Sequence, residues 1–172
     1  MFNVALDLLR LRARPMADFN FPIGQSVILL FVLGVLSGLD PSMSAEGMPP
    51  LVGMMIGLIA TGFMFFGGTF FIGWWLKRKN YWNGEGNLFN ILVASSLIDI
   101  VPLTLAISGI PFLFIFPLDI YSLWVVGNAI KGATQSSIGY AISGLLLWTV
   151  IGFTVVGLVG ALIGFLIGVP SS

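Results

Sequence analysis

Residues 88–130 read LFNILVASSLIDIVPLTLAISGIPFLFIFPLDIYSLWVVGNAI, and this apolar block decides the fold. As one helix it would run about 64 Å at 1.5 Å per residue, about twice the hydrocarbon core of a bilayer. It must fold back, and Ser108-Gly109-Ile110-Pro111 supplies the only tight turn within it. Two antiparallel spans result, about 88–108 and 112–130. Three further apolar runs, about 22–39, 51–76 and 139–168, complete the pattern. The expected fold is therefore all-α: a polytopic membrane bundle of five transmembrane helices, forming one domain over residues 1–172. With 58% hydrophobic and 8% charged positions, the composition lies far from that of soluble domains.

Basic residues orient these spans. Arg10, Arg12 and Arg14 precede the first span, Lys77, Arg78 and Lys79 follow the second, and Lys131 follows the fourth. The intervening connectors, 40–50 and 108–111, contain no Lys or Arg. Loops rich in these residues stay cytoplasmic, so the N-terminus reads as cytoplasmic and the C-terminus as external. Trp74 and Trp75 ahead of Lys77 form an aromatic belt followed by a cytoplasmic stop.

The start, MFNVALDLLRLRARP, puts bases after the apolar residues, the reverse of a secretory signal, and the next run should persist as a span. Residues 2–14 have an amphipathic pattern. Asn3, Asp7, Arg10 and Arg14 form a polar stripe opposite Phe2, Leu6, Leu9 and Ala13, with Pro15 ending the element. The expectation is an N-terminal interfacial helix lying in the headgroup layer, the alternative a cytoplasmic tail. Arg10, Arg12, Arg14, Lys77, Arg78 and Lys79 are then candidate contacts for anionic lipid headgroups.

Chemistry is scarce. The chain has no cysteine and no histidine, which excludes disulfides, thiolate catalysis, imidazole metal sites and every triad built on His. Seven acids balance seven bases, so no overall field draws nucleic acid. No enzyme, cofactor or metal site is expected. Gly84-Glu85-Gly86 lacks the spacing of a nucleotide motif and reads as a connector. Trp124 and Trp148 read as packing residues within spans.

Asp99 and Asp119 are the most unusual positions, each interrupting an apolar span where a central carboxylate is costly. Counted from the turn at 108–111, both lie roughly 12–14 Å from the outer end, so their depths match. Ser95 and Ser96 share the face of Asp99, and Ser122 that of Asp119. Pro102 and Pro117 leave the carbonyls of Ile98 and Leu113 without their helical donors. Two readings stand open. The acids converge on a polar site that shares a proton or holds a cation, or both are protonated packing groups bonded to serines and freed carbonyls. Small residues at four-residue spacing, namely Gly34 and Gly38, Gly53 and Gly57, and Gly160, Gly164 and Gly168, allow close helix packing. They serve either packing within one chain or a homo-oligomer or other membrane-protein contact.

The stretch YWNGEGNLFNILVASSLIDIVPL (residues 81–103) resembles the Yip1 domain family, its bacterial members above all. Gly84, Gly86, Phe89 and Pro102 fit that family's glycine-rich turn, aromatic and proline-ended span. IYSLWVVGNAIKGAT (residues 120–134) is similar to the family's fourth span, and RARPMADF (residues 12–19) to the segment ahead of its first. The DLYGP and GY motifs of eukaryotic members are absent, so the resemblance does not extend to their role with Rab-type GTPases. It implies a multi-pass protein of the bacterial inner membrane, without an established activity. The scarcity of catalytic residue types, the small-residue faces and the basic, aromatic rim point to a membrane-organising adaptor that acts through lipid and protein contacts. The competing expectation is a small proton- or cation-coupled transporter or channel subunit using Asp99 and Asp119.

Topology is directly testable. Reporter fusions after Ser172 and within residues 40–50 should both report the external side. A cytoplasmic reading after Ser172 would overturn the five-span count.

Overall fold

The computed structural model describes residues 1–40 and 49–166, with side chains as far as Val159, and every regular element among them is helical. The helices are α1 (Phe2–Leu9), α2 (Ile23–Leu39), α3 (Pro50–Lys77), α4 (Leu88–Ser95), α5 (Ile100–Ile107), α6 (Phe112–Ala133) and α7 (Ile138–Leu166). Short 3₁₀ turns occupy Met16–Phe19 and Ser96–Asp99. Four helices are long and apolar enough to cross a membrane: α3, the continuous stretch Leu88–Ile107, α6 and α7. α2 is apolar but shorter, with 17 residues, a length of about 25 Å.

The turn at Ser108–Pro111 forms as its sequence requires. Gly109 takes φ +78°, a region open to glycine at little steric cost. Its N–H donates to the Ala106 carbonyl at 2.9 Å, and that of Ile110 to Leu105 at 3.1 Å. α5 therefore closes with the carbonyls of Leu105 and Ala106 satisfied, and Pro111 opens α6.

The third span is not one regular helix. It breaks at Ser96–Asp99 because two local effects converge there. Pro102 cannot donate to the Ile98 carbonyl. Upstream, Ser95 Oγ donates to the carbonyls of Ile91 and Leu92, both at 2.9 Å, and Ser96 Oγ to Val93 at 2.9 Å. Hydroxyls that bond back onto their own helix loosen its regular ladder. α4 is nonetheless the centre of the bundle, every one of its residues being buried.

Two kinds of close packing hold the other spans. α2 and α3 interlock through Gly34, Gly38, Gly53 and Gly57. A methyl group on Gly38 would lie 2.5 Å from Met54 Cα, and one on Gly57 2.6 Å from Gly38 Cα. Those four glycines are thus engaged within one chain, the first of the two alternatives open from sequence. Gly160, Gly164 and Gly168 lie outside the residues whose packing is described. α3 and α7 instead set tryptophan against glycine: Trp148 lies over Gly67 and Gly68, and Trp75 over Gly144. Trp148 Nε1 donates to the Met64 carbonyl at 3.0 Å. Trp75 Nε1 donates to the Tyr140 carbonyl at 3.1 Å, while Tyr140 OH returns a bond to the Trp75 carbonyl at 2.7 Å.

The N-terminal segment differs from expectation. α1 ends at Leu9, and the chain turns at Leu11 with φ +55°, well before Pro15. α1 packs on α4 and α6, with Ala5 and Leu8 fully buried among Leu76, Ile91, Val125 and Ile130. The reason lies on α6, where Tyr121, Val125, Asn128 and Gly132 form one stripe. Tyr121 OH donates to the Leu9 carbonyl, Asn128 Nδ2 to that of Leu11 at 2.8 Å, and Gly132 admits the backbone of Arg14.

A polar clasp joins this segment to α4. Asn90, wholly buried, donates through Nδ2 to the carbonyls of Phe19 at 2.8 Å and Phe21 at 2.9 Å. Its Oδ1 accepts from Ser26 Oγ at 2.8 Å. Asn90→Ala would leave two carbonyls and a hydroxyl without their partner, at an expected cost of about 1–3 kcal/mol. Unfolding in detergent should show that loss, whereas Asn3→Ala, on an exposed position, should leave stability unchanged.

Candidate functional site

A cavity of about 710 Å³ lies among α2, α3, α5, α6 and α7. Asp99 and Asp119 both line it, joined by Asp40 from the end of α2 and by Ser37 and Thr61. Leu33, Phe65, Leu103, Ile115 and Phe153 supply apolar wall. Asp40, Gly109 and Phe112 place the mouth at the end of the bundle formed by the α5–α6 turn. No Lys or Arg is among its lining residues.

Each acid is positioned by the local breaks that surround it. Asp99 ends the 3₁₀ turn and is half-buried, and Ser122 Oγ of α6 donates to its Oδ1 at 2.5 Å. Ser122 stands three residues beyond Asp119, so the bond links the two acid-bearing helices across the cavity wall. Asp119, two residues past Pro117, is exposed. Of the expected polar set, Asp99, Asp119 and Ser122 come together, whereas Ser95 and Ser96 are committed to their own helix. Among the described residues no three acidic side chains are grouped closely enough to hold a metal ion. The cavity is thus suited to a proton or a cationic group pairing with one or two carboxyls, inside apolar walls that strengthen such pairing.

All basic residues are gathered at the opposite end. Gln135 N–H donates to the Tyr81 carbonyl at 3.1 Å, Met16 lies against Gly86, and Arg14 against Gly132. These contacts bring the arginine segment, the loop after α3 and the α6 terminus with Lys131 to one face. There Lys77 Nζ sits 5.1 Å from the Trp82 ring centre, and the Arg78 guanidinium 4.9 Å from Trp74 and 5.6 Å from Trp75. Lys79 and Arg10 are exposed. Arg14 is bonded to Asp7 and, at 3.2 Å, to Asp18, and Arg12 lies 3.5 Å from Asp7. Acids therefore balance much of the charge that Arg12 and Arg14 were expected to offer to lipid.

Gly84-Glu85-Gly86 is a self-contained turn. Glu85 N–H donates to Asn83 Oδ1 at 2.9 Å, Asn83 Nδ2 to Glu85 Oε2 at 2.9 Å, and Trp82 Nε1 to the Glu85 carbonyl at 2.7 Å. Sequence reasoning missed Asn90, Tyr121 and Asp40. Asn90 carried a usable signal, a polar amide inside an apolar span; the other two reveal their roles only through partners distant in sequence.

In comparisons with known proteins, no family model, curated protein or solved structure matches the chain.

The clasp around Asp7 makes α1 sensitive to acid. The Arg14 hydrogen bond, with the charges of Arg14, Arg12 and Arg10, holds the Asp7 carboxyl below its ordinary value of 3.8 against an opposing effect of desolvation. A carboxyl depressed in the folded state stabilises it above the unfolded value and loses that effect as pH falls through the folded one. Amide hydrogen exchange over residues 2–11 should therefore stay constant from neutral pH to about 5, after correction for intrinsic rates, and accelerate below about 4. Asp7→Asn should remove that step.

Proposed function

We propose that this chain is a five-span integral membrane protein, a bacterial-type relative of the Yip1 domain family. Its N-terminus is cytoplasmic, its C-terminus external, and it works as a membrane-organising adaptor through contacts rather than turnover. Support comes from the concentration of every Lys and Arg at one aromatic-rimmed end, opposite the acidic mouth. Such an end sits at the cytoplasmic interface of an inner membrane, its rings at headgroup depth and its cations against anionic lipid. Arg10, Lys77, Arg78 and Lys79 carry most of this contact, each contributing about 1 kcal/mol near the surface. α2 adds the fifth span with slight local thinning of the bilayer.

A second reading is favoured by one specific observation: Asp99 and Asp119, on different helices, line a single cavity, and Ser122 from the Asp119 helix donates to Asp99. In this reading the protein passes protons or a small cation, with the break at Ser96–Asp99 providing the irregular backbone that such sites use.

One reconstitution separates the two. The triple variant Lys77→Gln, Arg78→Gln, Lys79→Gln should lose most of the preference for anionic over neutral bilayers, and cross-linking of the native protein in its membrane should recover a protein partner or a self-contact. An unchanged preference in the triple variant, together with no partner or self-contact recovered from the native protein, would remove the adaptor reading. Proton flux in sealed vesicles that is unchanged by Asp99→Asn and by Asp119→Asn would remove the transport reading.

A further inference from the structure

The cavity among α2, α3, α5, α6 and α7 is lined by polar groups that the bundle itself does not use. A hydroxyl in apolar surroundings ordinarily bonds back onto its own helix. Most serines and threonines on the helices do so, to a carbonyl three or four residues back. Ser26 and Ser122 donate instead to the side chains of Asn90 and Asp99. Ser37 of α2 and Thr61 of α3 are the exceptions. Both are half-buried, both line the cavity, and among the described residues neither side chain makes a hydrogen bond. The Asp119 carboxyl, on the same cavity, likewise has neither hydrogen bond nor ion pair among the described residues. We propose that the cavity is a binding site for an amphiphilic amine in its protonated form. Its ammonium group pairs with Asp119, and its hydrocarbon body lies against Phe65, Leu103 and Phe153.

Other ligands fit this lining less well. A metal ion takes several oxygens at short range, and among the described residues no three acids are grouped to supply them. A proton needs no space, whereas the volume of about 710 Å³ falls within the roughly 300–1,000 Å³ of small-molecule sites. An anion finds no Lys or Arg among the lining residues. A purely apolar molecule would leave Asp119, Ser37 and Thr61 unpaired against hydrocarbon, which is costly. A body of rings or methylenes with one N–H-bearing positive end satisfies both halves of the lining. Its charge meets Asp119 between apolar walls, where such pairing is strengthened, and the two hydroxyls offer neutral acceptors. Asp99 has one oxygen engaged by Ser122, which leaves Asp119 as the principal partner. The inference rests on the second reading in taking this cavity as the place where a cation sits, and it needs no flux through the protein.

Equilibrium binding of tritiated phenylbutylamine to the full chain in phosphatidylcholine nanodiscs, with uptake by protein-free discs subtracted, tests the site. Binding should saturate, and phenylbutanol, which matches the shape without the charge, should compete at least about tenfold less well. Asp119→Asn should weaken the amine at least about tenfold while leaving the alcohol unchanged, and Asp119→Glu should restore it. Thr61→Val, which keeps the shape and removes the acceptor, should cost about threefold. Glu85→Gln, which removes an acid at the basic end, should change nothing. An amine that binds no better than the alcohol, or binding unaltered by Asp119→Asn, would overturn the proposal. Should the acid variants not fold, a diazirine analogue of the amine decides the matter in the unaltered protein. It should label peptides carrying Phe65 or Leu103 and be displaced by excess amine, and label confined to the basic end would overturn the site. Absence of amine binding, with proton flux lost in Asp99→Asn, would sink this inference and leave the second reading standing. Amine binding with flux unaffected by either acid variant would retire transport and leave the site.

Discussion

A buried amide in an apolar bundle has no water to fall back on, and the placement of Asn90 depends on that constraint. Its Nδ2 faces two carbonyls, so its Oδ1 must face a donor, and Ser26 is that donor. The three bonds pin the chain at Phe19, Phe21 and Ser26 to the first turn of α4. Asn87 prepares this geometry from the same turn, its side chain capping the Asn90 N–H at 3.0 Å. With that clasp in place the entry to α2 is fixed, and so is the direction from which residues 1–14 approach α6. The end of the molecule that carries the basic residues is thus organised by polar groups and the rest by shape.

Shape matters because lipid tails solvate leucine as well as protein does, leaving little hydrophobic force to drive helices together. The bundle answers with intimate contact. Glycine against glycine joins α2 to α3, and tryptophan against glycine joins α3 to α7. In the second case each indole N–H finds a backbone carbonyl, so a large, half-buried ring packs without an orphan donor. Faces left over, such as Phe112, Leu113 and Phe114 on α6, are exposed and apolar, as a lipid boundary requires.

How much of this could be read from the chain follows from the range of each interaction. The turn at Ser108–Pro111 and the long apolar helices are consequences of length and local composition, and they were legible. Depth-matching placed Asp99 and Asp119 together, because a short turn makes their helices neighbours. The partners of Ser95 and Ser96 were misjudged, since a carbonyl one turn away competes with a carboxyl and wins. Asp40 was read only as a loop boundary; its arrival at the cavity depends on how α2 docks. The 64-residue separation of Ser26 from Asn90 likewise hides their bond from any local reading. For α1 the pattern itself is ambiguous: one apolar face suits a headgroup layer or a groove of protein, and amphipathicity alone does not choose.

The choice is made on α6. A helix C-terminus presents carbonyls that lack intrahelical donors, and near lipid those groups need partners. Tyr121 and Asn128 stand seven residues apart, hence on one face; Tyr121 donates to the carbonyl of Leu9, the last residue of α1, and Asn128 to that of Leu11 just beyond it. Val125 between them is fully buried, and Gly132 continues the line where the backbone of Arg14 comes too close for a side chain. A stripe of tyrosine, valine, asparagine and glycine makes a poor lipid-facing surface, yet it complements a helix terminus in register. The docked position of α1 is therefore specified by its partner rather than by its own amphipathicity. The ion pairs of Asp7, Arg12, Arg14 and Asp18 then tie the end of α1 to the segment that follows it.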